Sequence, residues 1–330
     1  MPERKRFVEI GFRSEHAFGR NAQGHGTLNE DEGNPGETAT SMARRRRAAI
    51  LLMCGAVFCF AGLDASSKWA SQHVDPIVTT WFRYAASVAM VSLVLNPWTR
   101  PRLLHSNRFF LQVLRSILLF LCTILNFFAL PHLQLAQSIS IQFAMPIIVA
   151  LLAGPLLGEW AGPRRLAAIG VGFLGVLVVT RPGAGSMNSA AWLVLGSTIL
   201  YACYALVTRM LAAHDPSATT ITYSGLAGVL LLTPVLPFFW TTPPTLLVWL
   251  ALAATGLFGA VGHGFLTLAH ARAPAPVLSP FIYTQLIWMV ALGYLVFGDV
   301  PDGWTFAGAA IVIASGLYLL IWERARGRVD

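Results

Sequence analysis

His73-Val74-Asp75-Pro76-Ile77-Val78-Thr79-Thr80 and Ala213-His214-Asp215-Pro216-Ser217-Ala218-Thr219-Thr220 stand 140 residues apart and share Asp, Pro and both Thr in register. The same offset carries Gly158-Glu159 onto Gly298-Asp299. Each match borders an apolar run of the same order in its half. One such match arises easily by chance, but two in one register mark an internal duplication. The chain therefore reads as two halves, about 44–183 and 184–323, built from the same succession of segments.

Those segments are long and apolar. Of the 330 residues 55% are hydrophobic and only 12% charged, against about 25% charged in a soluble domain. A spanning helix needs about 20 mostly apolar residues. Such runs lie at roughly 48–67, 77–95, 109–129, 133–156, 166–180, 190–208, 219–239, 246–269, 276–297 and 304–322. Turn and breaker residues separate them, among them Asp75-Pro76, Asn96-Pro97, Arg181-Pro182-Gly183, Asp215-Pro216 and Pro243-Pro244. The prediction is an all-α membrane protein of ten transmembrane helices, arranged as two five-helix repeats.

Charge orients these spans. With the N-terminus inside, the cytoplasmic flanks hold Arg44 to Arg47, Arg100, Arg102, Arg108, Arg164, Arg165, Arg209, Arg272, Arg324, Arg326 and Arg328; the outer loops hold Lys68 and Arg181. This is the asymmetry expected of a multi-pass protein of the cytoplasmic (inner) membrane with both termini cytoplasmic. Trp98, Trp160, Trp192, Trp240, Trp249, Trp304 and Trp322 fall at span ends, where aromatic belts lie. Five spans per half is odd, so the repeats run in opposite senses through the bilayer. Inverted repeats can exchange conformations and so open a shared site to either side in turn.

Outside the repeats, residues 1–43 are polar, Gly-rich and mixed in charge, and read as a disordered cytoplasmic tail without a signal-peptide core. Translation from Met42 is the other reading. Residues 324–330 form a short cytoplasmic tail. Cys54, Cys59, Cys122 and Cys203 sit in apolar runs with no metal-ligand or CxxC spacing, so they read as packing residues. The net charge of +8 is spread over membrane flanks, which argues against a nucleic-acid partner.

The pattern resembles the drug/metabolite transporter superfamily, and within it a protein with two EamA-type repeats. The residues that carry the likeness are Trp81-Phe82-Arg83-Tyr84, the end of the fourth span from Pro146 to Gly158-Glu159, the Gly170-Val171-Gly172-Phe173-Leu174-Gly175 segment, and their echoes in the second half. The likeness covers about 44–323. It implies a ten-helix fold around a central cavity, formed mainly by the third, fourth, eighth and ninth spans. The second half departs from the first at Asp299, shorter than Glu159, and at Tyr223, where the repeat would mirror Arg83.

Several polar residues sit at membrane depth, where they cost enough to call for a partner or a role. Arg83 lies about 9 Å into the second span at 1.5 Å per residue, and either faces a cavity or snorkels outward. Arg115, equally deep from the inner side, reads more readily as snorkelling. Asp64 and Lys68 have the i, i+4 spacing of a helical ion pair. Asp64 is alternatively a proton-coupling site, and His263, which titrates near neutral pH when unperturbed, is a second. Ser138 and Gln142 share a face in the fourth span, with Pro146 freeing backbone carbonyls nearby. Ser279, Tyr283, Gln285 and Trp288 are the counterpart in the ninth. Arg83, Asn126, Gln142, Tyr283, Gln285 and Trp288 form the candidate substrate-binding set.

Gly170 to Gly175 fits GxGxxG, but no strand precedes it and the segment is an apolar helix, so close helix packing explains it. Gly154 with Gly158, and Gly256, Gly259 and Gly262, read the same way. Neither HExxH nor GxSxG occurs, no metal set is visible and no cofactor is implied. The expected function is a secondary active transporter of a small organic solute: an amino acid, amine, vitamin or nucleoside-like compound. It would work by alternating access, coupled to protons or by exchange, with a second copy of the chain as a candidate partner in a homodimer. An intramembrane enzyme acting on a lipid or small metabolite is the alternative; a channel lacks a charged ring or filter loop.

Overall fold

The computed structural model describes residues 35–95, 105–158, 162–180, 189–211, 214–270, 272–273 and 275–325. The tail up to residue 34, the flank at Arg100 and Arg102, Trp98, Glu159, Trp160, the Arg181-Pro182-Gly183 break, the Ser279 side chain and the residues after 325 lie outside the described set. The chain divides into two compact units, 1–43 and 44–330; the second is described below.

The described elements of regular structure are all helical. They are α1 (Pro35–Ala70), α2 (Pro76–Leu95), α3 (Phe109–Ala129), α4 (Leu135–Gln142), α5 (Met145–Leu157), α6 (Pro163–Thr180) and α7 (Ala190–Leu211). After these come α8 (Ser217–Leu232), α9 (Leu236–Phe239), α10 (Leu246–His270), α11 (Ala275–Ile282), α12 (Gln285–Phe297) and α13 (Gly303–Ala325). Among the described residues five stretches are long and apolar enough to cross a membrane: Arg44–Ala70, Phe109–His132, Leu135–Leu156, Ala190–Leu211 and Leu246–His270. Leu166–Val179, Thr219–Leu232, Gln285–Phe297 and Gly303–Tyr318 are shorter apolar helices. Phe110, Phe238 and Leu93 are more than 80% exposed, far more apolar surface than a soluble monomer tolerates.

The duplication read from sequence reappears in the element boundaries. Shifted by 140, α4 falls on α11 and α5 on α12 at both ends, and α6 starts where α13 starts. Gly158 and Gly298 terminate α5 and α12 with φ of 75° and 68°, the left-handed cap that a residue with a Cβ resists. No atom lies within 4 Å of a Cβ built at Gly158, so it caps a helix and is not the packing glycine that its spacing to Gly154 suggests. Contacts obey the same exchange. α2 packs on α8 and α6 on α13, each helix on its own counterpart; α3 packs on α8 as α10 packs on α2.

The expected fourth and ninth spans are each broken in two, and the seventh is divided between α8 and α9. At the α6–α13 contact the two backbones approach closely. A Cβ at Gly175 would stand 2.9 Å from the Gly308 carbonyl oxygen, and one at Gly308 would stand 2.7 Å from that of Gly175. Ser315 adds a hydrogen bond across the pair to the Ala168 carbonyl at 2.6 Å. Helix packing thus accounts for Gly172 and Gly175, whereas nothing lies within 4 Å of a Cβ built at Gly170.

One shared motif is used in two ways. Asp75 caps α2 by accepting the Ile77 amide at 2.8 Å, with Pro76 in the first helical position. Asp215 instead turns to the segment before α3 and accepts from Ser106 Oγ, the Asn107 amide and Gln112 Nε2. Burial works against its charge, but those donors outweigh burial and hold the carboxyl below its usual range.

Candidate functional site

The two broken helices meet. α4 stops at Gln142 and α5 starts at Met145, with Phe143 and Ala144 forming the turn. Pro146 sits in the first turn of α5, where an amide would be unsatisfied in any case. Tyr283 and Thr284 form the matching turn between α11 and α12. Phe143 and Tyr283 are equivalent under the 140-residue shift, and their rings touch edge to face at 5.0 Å. Interrupted helices at depth leave backbone groups that are tolerable only against protein or a solvated cavity. In many transporters such breaks hold the substrate.

Polar side chains gather on the α4 side of this junction. Gln142 Nε2 donates to Ser138 Oγ at 3.0 Å and to Asn126 Oδ1 at 3.4 Å. Asn126 Nδ2 donates in turn to Asp64 Oδ1 at 3.4 Å. The chain joins α1, α3 and α4 and ends on a carboxylate that is only 5% exposed. The Asp64–Lys68 ion pair expected from spacing is not formed. Lys68 Nζ turns away and binds Asp299 Oδ2 at 2.6 Å, with the Phe297 ring 4.3 Å beneath it. A partner from the other repeat wins because it can reach a buried ammonium in good geometry, whereas the helix holds Asp64 against Asn126.

Arg83 points inward and does not snorkel. Its Nη1 donates to Thr123 Oγ1 on α3 at 2.9 Å, and its guanidinium lies against the rings of Tyr84 and Phe127 at 5.1 and 5.8 Å. Its charge acts on Asp64, but no carboxylate among the described residues is within ion-pair distance of it. Nε is buried and has no hydrogen-bond partner among the described residues.

The second-half candidates are more scattered. Gln285 is buried at the start of α12. The Tyr283 hydroxyl is buried, without a partner among the described residues, and pressed against Gly316 of α13. Trp288 is 39% exposed and packs edge-on against Phe58 at 4.9 Å. His263 packs edge-on against Phe60 at 5.1 Å, outside the Asp64 hydrogen-bond chain. Asp64, Asn126 and Gln142 are thus joined directly, Arg83 adjoins them electrostatically, and Tyr283 adjoins them through Phe143.

Sequence reasoning underrated Arg115. It is 4% exposed and donates to Thr208 Oγ1, Tyr204 Oη, Ser224 Oγ and the Thr220 carbonyl, at 2.5–3.1 Å. Tyr204 also stacks on Tyr201 at 5.4 Å. A guanidinium with four inward acceptors gains nothing by snorkelling. The signal was present in the hydroxyl residues on α7 and α8 at one-turn spacing, Tyr204 with Thr208 and Thr220 with Ser224. Among the described residues no group of three or more His, Cys, Asp or Glu could hold a metal ion.

Comparison with known proteins agrees with this architecture. The profile of the EamA-like transporter family matches residues 47–181 and 188–322. A riboflavin transporter of Vibrio cholerae is 29% identical over 84% of this chain and 94% of its own length. An S-adenosylmethionine uptake transporter of Rickettsia conorii is 26% identical over 79% of this chain and 88% of its own. A solved crystal structure superposes with a TM-score of 0.60 at 18% identity, over 84% of this chain and 98% of that one, a likeness of fold.

Proposed function

Since the chain belongs to the EamA-like transporter family, and is therefore a multi-pass membrane protein, we propose that it is a secondary carrier of a small heterocyclic metabolite. Ten spans in two inverted repeats, 44–183 and 184–323, cross the cytoplasmic membrane with both ends inside, and alternating access exposes one site to either face. The cargoes named for the relatives, riboflavin and S-adenosylmethionine, each join a planar nitrogen heterocycle to a hydroxylated, sugar-derived group. Amide, hydroxyl and aromatic groups suit such a solute: Asn126, Gln142, Gln285, Tyr283 and Trp288 offer them, with Arg83 supplying a cation.

The observation that carries this reading is the ring contact between Phe143 and Tyr283, which brings both helix breaks to one place. A solute bound there touches both repeats, so their relative motion moves the site. Asp64, buried at the end of the Asn126–Gln142 chain, is the favoured proton-coupling group, and His263 the second.

Purified protein in liposomes, given radiolabelled riboflavin or S-adenosylmethionine with and without an imposed proton gradient, tests the proposal. Protein-dependent flux of unaltered solute is expected, steeper with the gradient and reduced in Asp64→Asn. No flux of either solute, or recovery of chemically changed solute, refutes it.

A further inference from the structure

We infer that the cargo carries a carboxylate, and that it docks side-on against the buried Nε edge of Arg83. The inference refines the carrier reading above by naming the chemical class of the solute. It starts from an unbalanced guanidinium. Arg83 Nη1 donates to Thr123. Nε is sealed from solvent and donates to none of the described residues. An orphaned N–H on a cation is expensive, more so than on a neutral group, and a fold that retains one at membrane depth compensates for it in some other state. The planar guanidinium presents Nε–H and the neighbouring Nη–H as two parallel donors, a spacing that matches the two oxygens of a carboxylate.

The rest of the neighbourhood supports an anion. Tyr84 and Phe127 offer ring faces to the guanidinium, which holds its plane and leaves an edge to be approached. The Tyr84 hydroxyl binds Thr123 and the Leu119 carbonyl and also adjoins the guanidinium, but as a neutral group it does not neutralise the cation. Arg115, the other buried cation at depth, is surrounded by hydroxyls and one carbonyl. Lys68, by contrast, is neutralised by Asp299. Among the described buried groups, the anion near Arg83 is Asp64, which spends its contact on Asn126. Asp64 is therefore the internal competitor for the same cation, and a cargo carboxylate takes the place that Asp64 does not fill.

The test uses the full chain in nanodiscs of zwitterionic lipid, so that no lipid carboxylate competes. Equilibrium binding is measured by calorimetry for matched probes: S-adenosylmethionine and its carboxamide, tryptophan and tryptophanamide, with riboflavin as the neutral comparator. At least one acid is expected to bind about tenfold or more tightly than its amide. Arg83→Gln should bring that ratio close to one while leaving the melting temperature little changed. Arg83→Lys, which keeps the charge without the fork, should recover only part of it. Asp64→Asn should tighten the acid several-fold more than the amide. Equal affinity of acid and amide in the wild type, a preference that survives Arg83→Gln, or binding of none of the acids overturns the inference. Flux in liposomes without acid preference sinks this inference alone; acid-selective binding without flux sinks the carrier reading alone.

Discussion

The Lys68–Asp299 pair makes a prediction that depends on which partner is left behind. The two side chains are 6% and 24% exposed and 2.6 Å apart. Breaking a buried pair from one side costs about 3–5 kcal/mol, because the remaining charge stays desolvated. Asp299→Asn leaves the ammonium in its dry position over Phe297, so its cost should lie near the lower end, about 3 kcal/mol. Lys68→Met leaves a carboxylate that water already reaches, so screening reduces its cost to about 1–2 kcal/mol. The double variant removes both charges and should cost about 1 kcal/mol or less, since a methionine fills the lysine's channel. For a chain of this size each kcal/mol moves the melting temperature by about 2 °C. Tryptophan fluorescence during thermal unfolding in detergent should therefore rank the stabilities as wild type, double variant, Lys68→Met, Asp299→Asn. Additive single effects would refute the argument, and so would a Lys68→Met variant less stable than Asp299→Asn.

Asp215 has its carboxyl held below the usual range, so its stabilising effect is complete above its unfolded pKa of about 3.9 and fades as pH falls through the lower folded value. Asp215→Asn should be less stable than wild type at pH 7, with the difference shrinking below about pH 4; melting curves across that range would show a constant difference if the donors from Ser106, Asn107 and Gln112 were unimportant. Gly308→Ala drives a methyl into the Gly175 carbonyl oxygen and should cost about 1–3 kcal/mol. Its melting temperature, compared with that of Gly303→Ala, where nothing lies within 4 Å, checks this; equal losses would show that the α6–α13 crossing is not close.

What could be read from residues alone was whatever repeats or follows a period. The 140-residue duplication was legible because Asp-Pro-x-x-Thr-Thr and the Gly-acid pair serve helix starts and stops, which are local. The apolar lengths and the arginine asymmetry were legible because lipid acts on each segment separately. Asn126, Gln142 and Arg83 were singled out for the same reason, as polar groups in apolar runs.

The choice of partner was not legible, because it depends on segments that the chain brings together from far apart. Asp64 and Lys68 are spaced to pair on one helix, yet each found a better partner elsewhere, Asn126 on α3 and Asp299 after α12. Asp75 and Asp215 stand in the same motif, yet one caps its own helix and the other ties down the approach to α3. Sequence determined that two similar halves of apolar helices would form and which polar groups would lie within them. Only the tertiary structure decided which of those groups meet, and that the two breaks touch at Phe143 and Tyr283. The reason is physical: secondary structure and membrane insertion follow from neighbours along the chain, whereas a buried charge is satisfied by whatever the packed helices place within about 3 Å.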